Sequence, residues 1–530
     1  MLLYALVAVL FVGFVVRRLS LRSKLPKGTK WLPGPKGVPG IGRVWDIPRA
    51  HSYKRFKQWA DQFGPIYQIN VFGVNHVWVS TDKIATDLLV KRGTIYSDRP
   101  PINQLESSKT APEYLPLLGY NDVWKRQRKF VTQIMSQSAR SAHLNLPLHE
   151  SYQFLAELLK DPQRYEKLME DYTGRVISRL AFGDVSVHPE VAIHSHGLLK
   201  AISPGAHLTN IIPALKRLPA FISPWKKEER ARHAYERGFF LQMHKLVSGK
   251  VETGTALSSY MKTFLEKKDD TGMDDMEGAY VVWNGRIGGR PHHGFCSHDA
   301  EIDSVCGDRM PEPSDSPQMP VLRAVIKEIM RWRPITPSSI PHESTEDDIY
   351  EGYFIPKGTH VHPSQWAITR DEEMYPDPEV FNPSRWLEAK YPSYQEPLTQ
   401  YPNIRNFTTF GYGRCICQGM GLVEAEFFVG IGGMAWAANI SKKRDALGRE
   451  IAVPAHDYTS LLISRPRPFQ FDLKPRTEKR EQQVWDNYFA AKRQEAMSSA
   501  TDGMIAGIRD PGFGLEKTSF SPGEPIAAAA

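Results

Sequence analysis

The chain has 530 residues, 41% hydrophobic and 24% charged, and its 67 Lys and Arg against 59 Asp and Glu leave a net charge of +8. That balance excludes a disordered, collagenous or disulfide-scaffold protein and supplies ample apolar material for a large core. The positive excess is spread thinly, which argues against a nucleic-acid partner and suits a membrane surface or an acidic partner protein.

Met1 to Val16 carries no charge and would span about 24 Å as a helix. A cleaved signal peptide is the bland reading. Against it, the positive charges Arg17, Arg18, Arg22, Lys24 and Lys27 follow the apolar run, and no small-residue cleavage site does. Residues 1–22 therefore read as an uncleaved transmembrane signal anchor that leaves the body of the chain in the cytosol. The four cysteines, Cys296, Cys306, Cys415 and Cys417, are too few for a disulfide framework and fit a reducing compartment.

Residues 23–48 hold the run from Leu32 to Gly42, rich in Pro and Gly, which is either a stiff bent hinge or a plain loop. Gly64 to Ser80 is β-branched and aromatic with a central glycine, the pattern of a hairpin. Helical spacing then covers Thr81–Lys91, Val123–Gln137, Leu148–Leu159, Tyr165–Ala181, Lys226–Ser248 and Ala256–Lys267. Val321–Arg331 is a further helix ended by Pro334, and Ile349–His362 returns to short strands around a Pro-Lys-Gly turn. Gly419–Ile440 is apolar nearly all round and reads as a helix buried in a large core. The body, 49–475, is thus mainly α with a minor β part. The tail, 476–530, is placed outside it.

The decapeptide Phe410 to Gly419, FGYGRCICQG, is the most informative stretch. Three glycines surround a cysteine just before a long helix, where turned backbone N–H groups and the helix N-terminus both favour a thiolate. Such a sulfur suits a soft metal or haem iron. A Gly-rich turn around a buried thiol explains the same residues.

Phe410, Gly413, Cys417 and Gly419 resemble the haem-ligand signature F-x-x-G-x-R-x-C-x-G of cytochrome P450 enzymes. Glu328 and Arg331 in KEIMR resemble the family's E-x-x-R pair, and Phe381 to Trp386 resembles the segment that adds a third member, here Arg385. Trp124 and Arg128 resemble the W-x-x-x-R helix that meets the haem propionates. The anchor and hinge are similar to those of microsomal members, and the style of hinge and cysteine loop to fungal secondary-metabolism P450s. The resemblance runs from about residue 1 to 475. It implies a haem-thiolate fold holding haem b, with Cys417 as axial ligand and Phe410 and Arg414 beside it. His342 would bond a propionate, or else cap a turn. It implies a monooxygenase in the endoplasmic reticulum membrane, supplied by NADPH–cytochrome P450 reductase. Lys125, Arg126 and Lys129 would form a docking face for that reductase, or a merely solvated one.

Two departures stand out. The signature arginine is replaced by Cys415, a minor competitor for the iron, leaving Arg414 to reach a propionate in its place. The central helix over the haem should carry an acid–hydroxyl pair for dioxygen activation, but 283–300 holds no Thr and includes Gly288, Gly289 and Pro291. Family-like sequence resumes near Glu301, too soon to fit the missing helix. The tract reads as frameshifted or mis-spliced, with no catalytic acid or alcohol identified. A natural insertion, or a metal site from His292, His293, Cys296, His298 and Cys306, is the rival. The function expected is oxygenation of a hydrophobic polyketide, terpenoid or aromatic, impaired as written. A non-catalytic relic and a haem-thiolate isomerase or peroxide-using enzyme are the alternatives. The substrate pocket would be lined by 100–119, 335–340 and 458–462, unless these residues merely pack.

Overall fold

The computed structural model describes residues 25–38, 41–138, 145–283 and 299–499. The anchor at 1–22, the tract 284–298 with His292, His293, Cys296 and His298, and the end of the tail from 500 lie outside the described residues.

Lys30–Trp31 forms β1, and Ser52–Phe63 forms α1, whose buried face is Tyr53, Phe56, Trp59 and Ala60. The expected hairpin is β2 (Ile66–Val71) and β3 (Val74–Val79), turned at Phe72 and Gly73, both with positive φ. The Pro/Gly segment before it is pressed against β2. A Cβ on Gly34 would stand 1.9 Å from the Gln68 carbonyl oxygen, and one on Gly42 1.6 Å from that of Asn70. Only glycine permits that approach.

Helices follow in chain order: α2 (Asp82–Thr86, continued as a π turn to Lys91), α3 (Asp122–Ser138), α4 (Leu146–Lys160), α5 (Tyr165–Phe182) and α6 (His188–Ile202). They continue as α7 (Pro224–Glu252), α8 (Tyr260–Glu266), α9 (Asp275–Val281), α10 (Asp299–Cys306) and α11 (Pro320–Trp332). The helix expected from Ala256 starts at Tyr260 instead. Ser259 is extended at φ −158° and accepts a hydrogen bond from Lys262 N, so it caps the helix there.

Strands β4 (His342–Glu343), β5 (Asp348–Tyr350), β6 (Tyr353–Ile355) and β7 (His360–Pro363) complete two sheets, ordered β1-β6-β5 and β2-β3-β7-β4. Next come α12 (Met420–Ala437), then β8 (Ala438–Lys442) paired with β9 (Phe471–Pro475). That pairing ends α12 at Ala437 rather than Ile440. Among the described residues α12 is the one helix long and apolar enough to cross a membrane, but 67% of it is buried. It packs on α4, α10 and α11 as the centre of the core.

Part of the tail joins the body, contrary to expectation. Glu478–Ser499 forms α13, which packs on α4 and α12. Val484 is 2% exposed in the main core, and Arg480 donates to the Trp436 carbonyl and to Asp303. Its charged face conceals an apolar one, so this helix belongs to the body.

Candidate active site

Phe410 to Gly419 folds into a tight loop. Cys417 N donates to the Phe410 carbonyl over 2.9 Å, and Gly411 and Gly413 take φ of +88° and +58°. A Cβ on Gly413 would lie 2.2 Å from the Leu89 carbonyl oxygen, so the loop lies directly on the π turn that follows α2. Cys417 then precedes α12 by three residues, with part of its surface exposed.

Helix α3 lies beside this loop. Asn121 caps it by accepting from Trp124 N at 2.9 Å. Trp124 is buried, and the Arg128 guanidinium, 5.8 Å from its ring centroid, donates to the Ile416 carbonyl. Gln418 returns a hydrogen bond to the Arg128 carbonyl. Burial pulls the Arg128 guanidinium below its usual range, while the nearby Cys415 and Cys417 sulfurs oppose that shift.

His342 is buried at the start of β4, with Nδ1 donating to the Tyr96 carbonyl over 2.7 Å. Burial, and next Arg99, hold this imidazole well below its ordinary range, so it is neutral. Arg99 itself is a residue that sequence reasoning missed. It is buried, donates to the Ile340 and Pro341 carbonyls, and its charge reaches both His342 and Arg128. Only folding brings it there. No local pattern in Ser97-Asp98-Arg99-Pro100 sets it apart.

The departures in the loop have clear geometry. Cys415 Sγ faces the Ser97 carbonyl at 3.6 Å. Arg414 donates to the Gly93 carbonyl and lies over the Tyr120 ring at 5.0 Å. Phe410 packs on the main core.

Glu328, Arg331 and Arg385 do come together, all 0% exposed. Arg331 pairs with both Glu328 oxygens at 2.8 Å, and Arg385 Nε donates to Oε1 at 3.1 Å. Trp386 Nε1 and Asn382 N donate to the same carboxylate. The spare guanidinium N–H groups bind the carbonyls of Thr369, Pro376, Pro378 and Val380. This cluster welds α11 to the segment leading to the cysteine loop.

The three basic residues of α3 are not alike. Arg126 makes a two-pronged ion pair with buried Glu277 of α9, at 2.8 and 2.6 Å, which ties α3 to α9 while its side chain stays 36% exposed. Lys125 and Lys129 remain exposed.

Of the segments expected around a pocket, 335–340 is tied to the residues just past 458–462, where Ser464 N donates to the Ile335 carbonyl. Leu462 N donates to Ser203 at the end of α6, and Gln104 N to Asn210. Leu105, Leu115, Leu117 and Leu118 share one core with Val281 and Val282.

This donor set fits a flat, doubly anionic ring bound through sulfur. Among the described residues Arg99 and Arg128 bond only carbonyls, with no carboxylate partner, beside a buried indole, a neutral imidazole and a loop thiol.

Comparison with known proteins agrees. The family model described as Cytochrome P450 matches residues 32–289 and 298–434. Cytochrome P450 monooxygenase virE of Hypocrea virens is 28% identical over 501 residues, covering 89% of this chain and 90% of the relative. Cytochrome P450 monooxygenase claR of Ampulloclitocybe clavipes is 31% identical over 504 residues, 89% of each. Cytochrome P450 monooxygenase psoD of Aspergillus fumigatus is 32% identical over 447 residues, covering 79% and 85%. With a match over most of the body and relatives of full length, the chain belongs to the cytochrome P450 family and is an enzyme of its monooxygenase type, with the family's haem-iron cofactor.

Proposed function

We propose that this protein is a haem-thiolate monooxygenase of fungal secondary metabolism, holding haem b through Cys417. It is anchored by residues 1–22 in the endoplasmic reticulum membrane with its body in the cytosol. NADPH–cytochrome P450 reductase supplies electrons, and a hydrophobic polyketide, terpenoid or aromatic receives one oxygen atom. The observation that carries this reading is Cys417 near half-buried Arg128, which together with buried Arg99 bonds only carbonyls among the described residues. When bound, the haem supplies the redox and oxygen chemistry. The chain supplies the rest. Arg128, Arg99 and Trp124 would hold the propionate side, with Arg414 nearby, while neutral His342, its one N–H given to the Tyr96 carbonyl, would cap the turn there. Backbone N–H groups and the α12 N-terminus favour the Cys417 thiolate. The apolar residues at 100–119, 335–340 and 458–462 exclude water and select the substrate.

The test is a reduced carbon monoxide difference spectrum of the full-length protein. Thiolate-type absorption should appear in the wild type and in Cys415→Ala and vanish in Cys417→Ala. Retention in Cys417→Ala would move the ligand elsewhere.

A second reading is favoured by the tract between α9 and α10. The family match is interrupted at 290–297, and 283–300 carries no Thr. We infer that oxygenation is impaired as the sequence stands, through a frameshifted or mis-spliced segment, or that the chain is a non-catalytic relic. A haem-thiolate isomerase or peroxide-using enzyme would not need the missing pair. Turnover with and without reductase separates that case.

A further inference from the structure

The two central strands of the four-stranded sheet place three histidines on one face. β3 and β7 run parallel, with His76 opposite His360 and Trp78 opposite His362. The intervening Val77 and Val361 point the other way, into a separate core. His76 Nδ1 and His362 Nε2 are 2.9 Å apart, the His76 and His360 ring centroids are 4.9 Å apart, and one ring nitrogen from each histidine lies within 4.8 Å of the others.

We propose that His76, His360 and His362 bind a divalent zinc-class cation that clamps β3 to β7, remote in sequence and distinct from the cysteine loop.

The chemistry suits such an ion. Imidazole is a preferred ligand for zinc, and three of them leave a fourth position for water. With Zn–N bonds of about 2.0–2.1 Å, tetrahedral ligand nitrogens stand roughly 3.3 Å apart. The 2.9 Å pair therefore needs to open by only a few tenths of an ångström. Burial is the largest cause lowering all three imidazoles, His360 to about 4 and His362 to about 3, so each offers a lone pair at neutral pH. A cation replaces the N–H···N hydrogen bond of His76 and His362 once the donor ring moves its proton to its other nitrogen. No net proton is lost.

The surroundings hold the rings in place. Trp78 stacks on His362 at 4.3 Å and on Phe56 at 3.6 Å, fixing the buried ligand. His76 and His360 keep part of their surface open, which gives the ion a way in. The nearby Lys109 is engaged by Asp98 at 2.7 Å and Glu343 at 3.0 Å, which partly neutralises its charge toward an incoming cation. By contrast, His149, Glu150 and Glu495 also lie close together, but Arg175, Arg179 and Lys492 already occupy their carboxylates.

The test uses the detergent-solubilised full-length protein, stripped with chelator and dialysed against buffered sub-micromolar zinc. Metal analysis should find one zinc per chain in the wild type. In His76→Asn and in His360→Asn its affinity should fall by more than the roughly 10–100-fold that loss of an outer-shell partner costs. A control in which His292, His293 and His298 become Ala and Cys296 becomes Ser should keep the zinc. Cobalt in place of zinc should give the visible bands of a tetrahedral nitrogen site without thiolate charge transfer, a readout that survives poor folding of either Asn variant. No zinc in the wild type, zinc retained in both Asn variants, zinc lost in the control, or a thiolate band would each overturn the proposal.

Discussion

Arg385 Nε donates to Glu328 Oε1 over 3.1 Å across 57 residues of sequence, and neither side chain reaches solvent. Arg331, Trp386 and Asn382 N complete the carboxylate's partners. Removing it in Glu328→Ala would strand two buried guanidinium groups. Breaking a buried pair in this way costs about 3–5 kcal/mol. Denaturant unfolding should show a loss of that order, and unchanged stability would contradict it.

Gly413 has two reasons to be glycine, its φ of +58° and the Leu89 carbonyl 2.2 Å from where a Cβ would sit. The left-handed backbone alone costs an L residue roughly 1–2 kcal/mol. Gly413→Ala should displace the loop from the π turn and lower haem content on purification. Full haem loading would show that the loop shifts at no cost to the site.

Cys415 occupies the signature arginine position and faces Ser97, while Arg414 is engaged by Gly93 and Tyr120. Cys415→Arg should raise haem occupancy, because a charge-assisted bond contributes on the order of 1.5–3 kcal/mol. Titration with hemin would measure it. Equal occupancy would mean that Arg128, Arg99 and Arg414 already suffice.

Replacing 283–300 with a helix that carries an acid and a hydroxyl should raise reductase-supported turnover. General acid–base steps contribute roughly 10²–10⁴-fold. Efficient, well-coupled turnover by the unaltered sequence would refute the impairment reading.

His194 is buried among Tyr235, Phe239 and Phe240, and burial lowers its imidazole to about 3. The folded form is therefore neutral, while the unfolded chain takes up a proton as pH falls through about 6.5. Its contribution to stability is complete above that value and is lost as pH falls toward 3, at about 1.4 kcal/mol per pH unit. His194→Phe should flatten the decline of unfolding free energy between about pH 4 and 6 by up to that slope. An unchanged slope would show that this histidine does not titrate on unfolding.

The local part of this protein was legible in its residues. Apolar spacing located most of the long helices to within a few residues, because a helix face repeats every 3.6 residues whatever lies beyond it, but it passed over His188–Ile202. Gly73 marked the hairpin, and the glycines around Cys417 marked the loop. What the chain does at a distance was not legible. The tail is placed outside the body because its charged residues outnumber Val484 and its neighbours, and only packing on α4 and α12 shows which face is covered. Arg126 gains its buried partner only where α9 brings Glu277 to it. Arg99 and the three sheet histidines gain their meaning from partners far along the chain. Local patterns record backbone geometry, while ion pairs, shared burial and convergent ligands depend on which distant segments fold against one another.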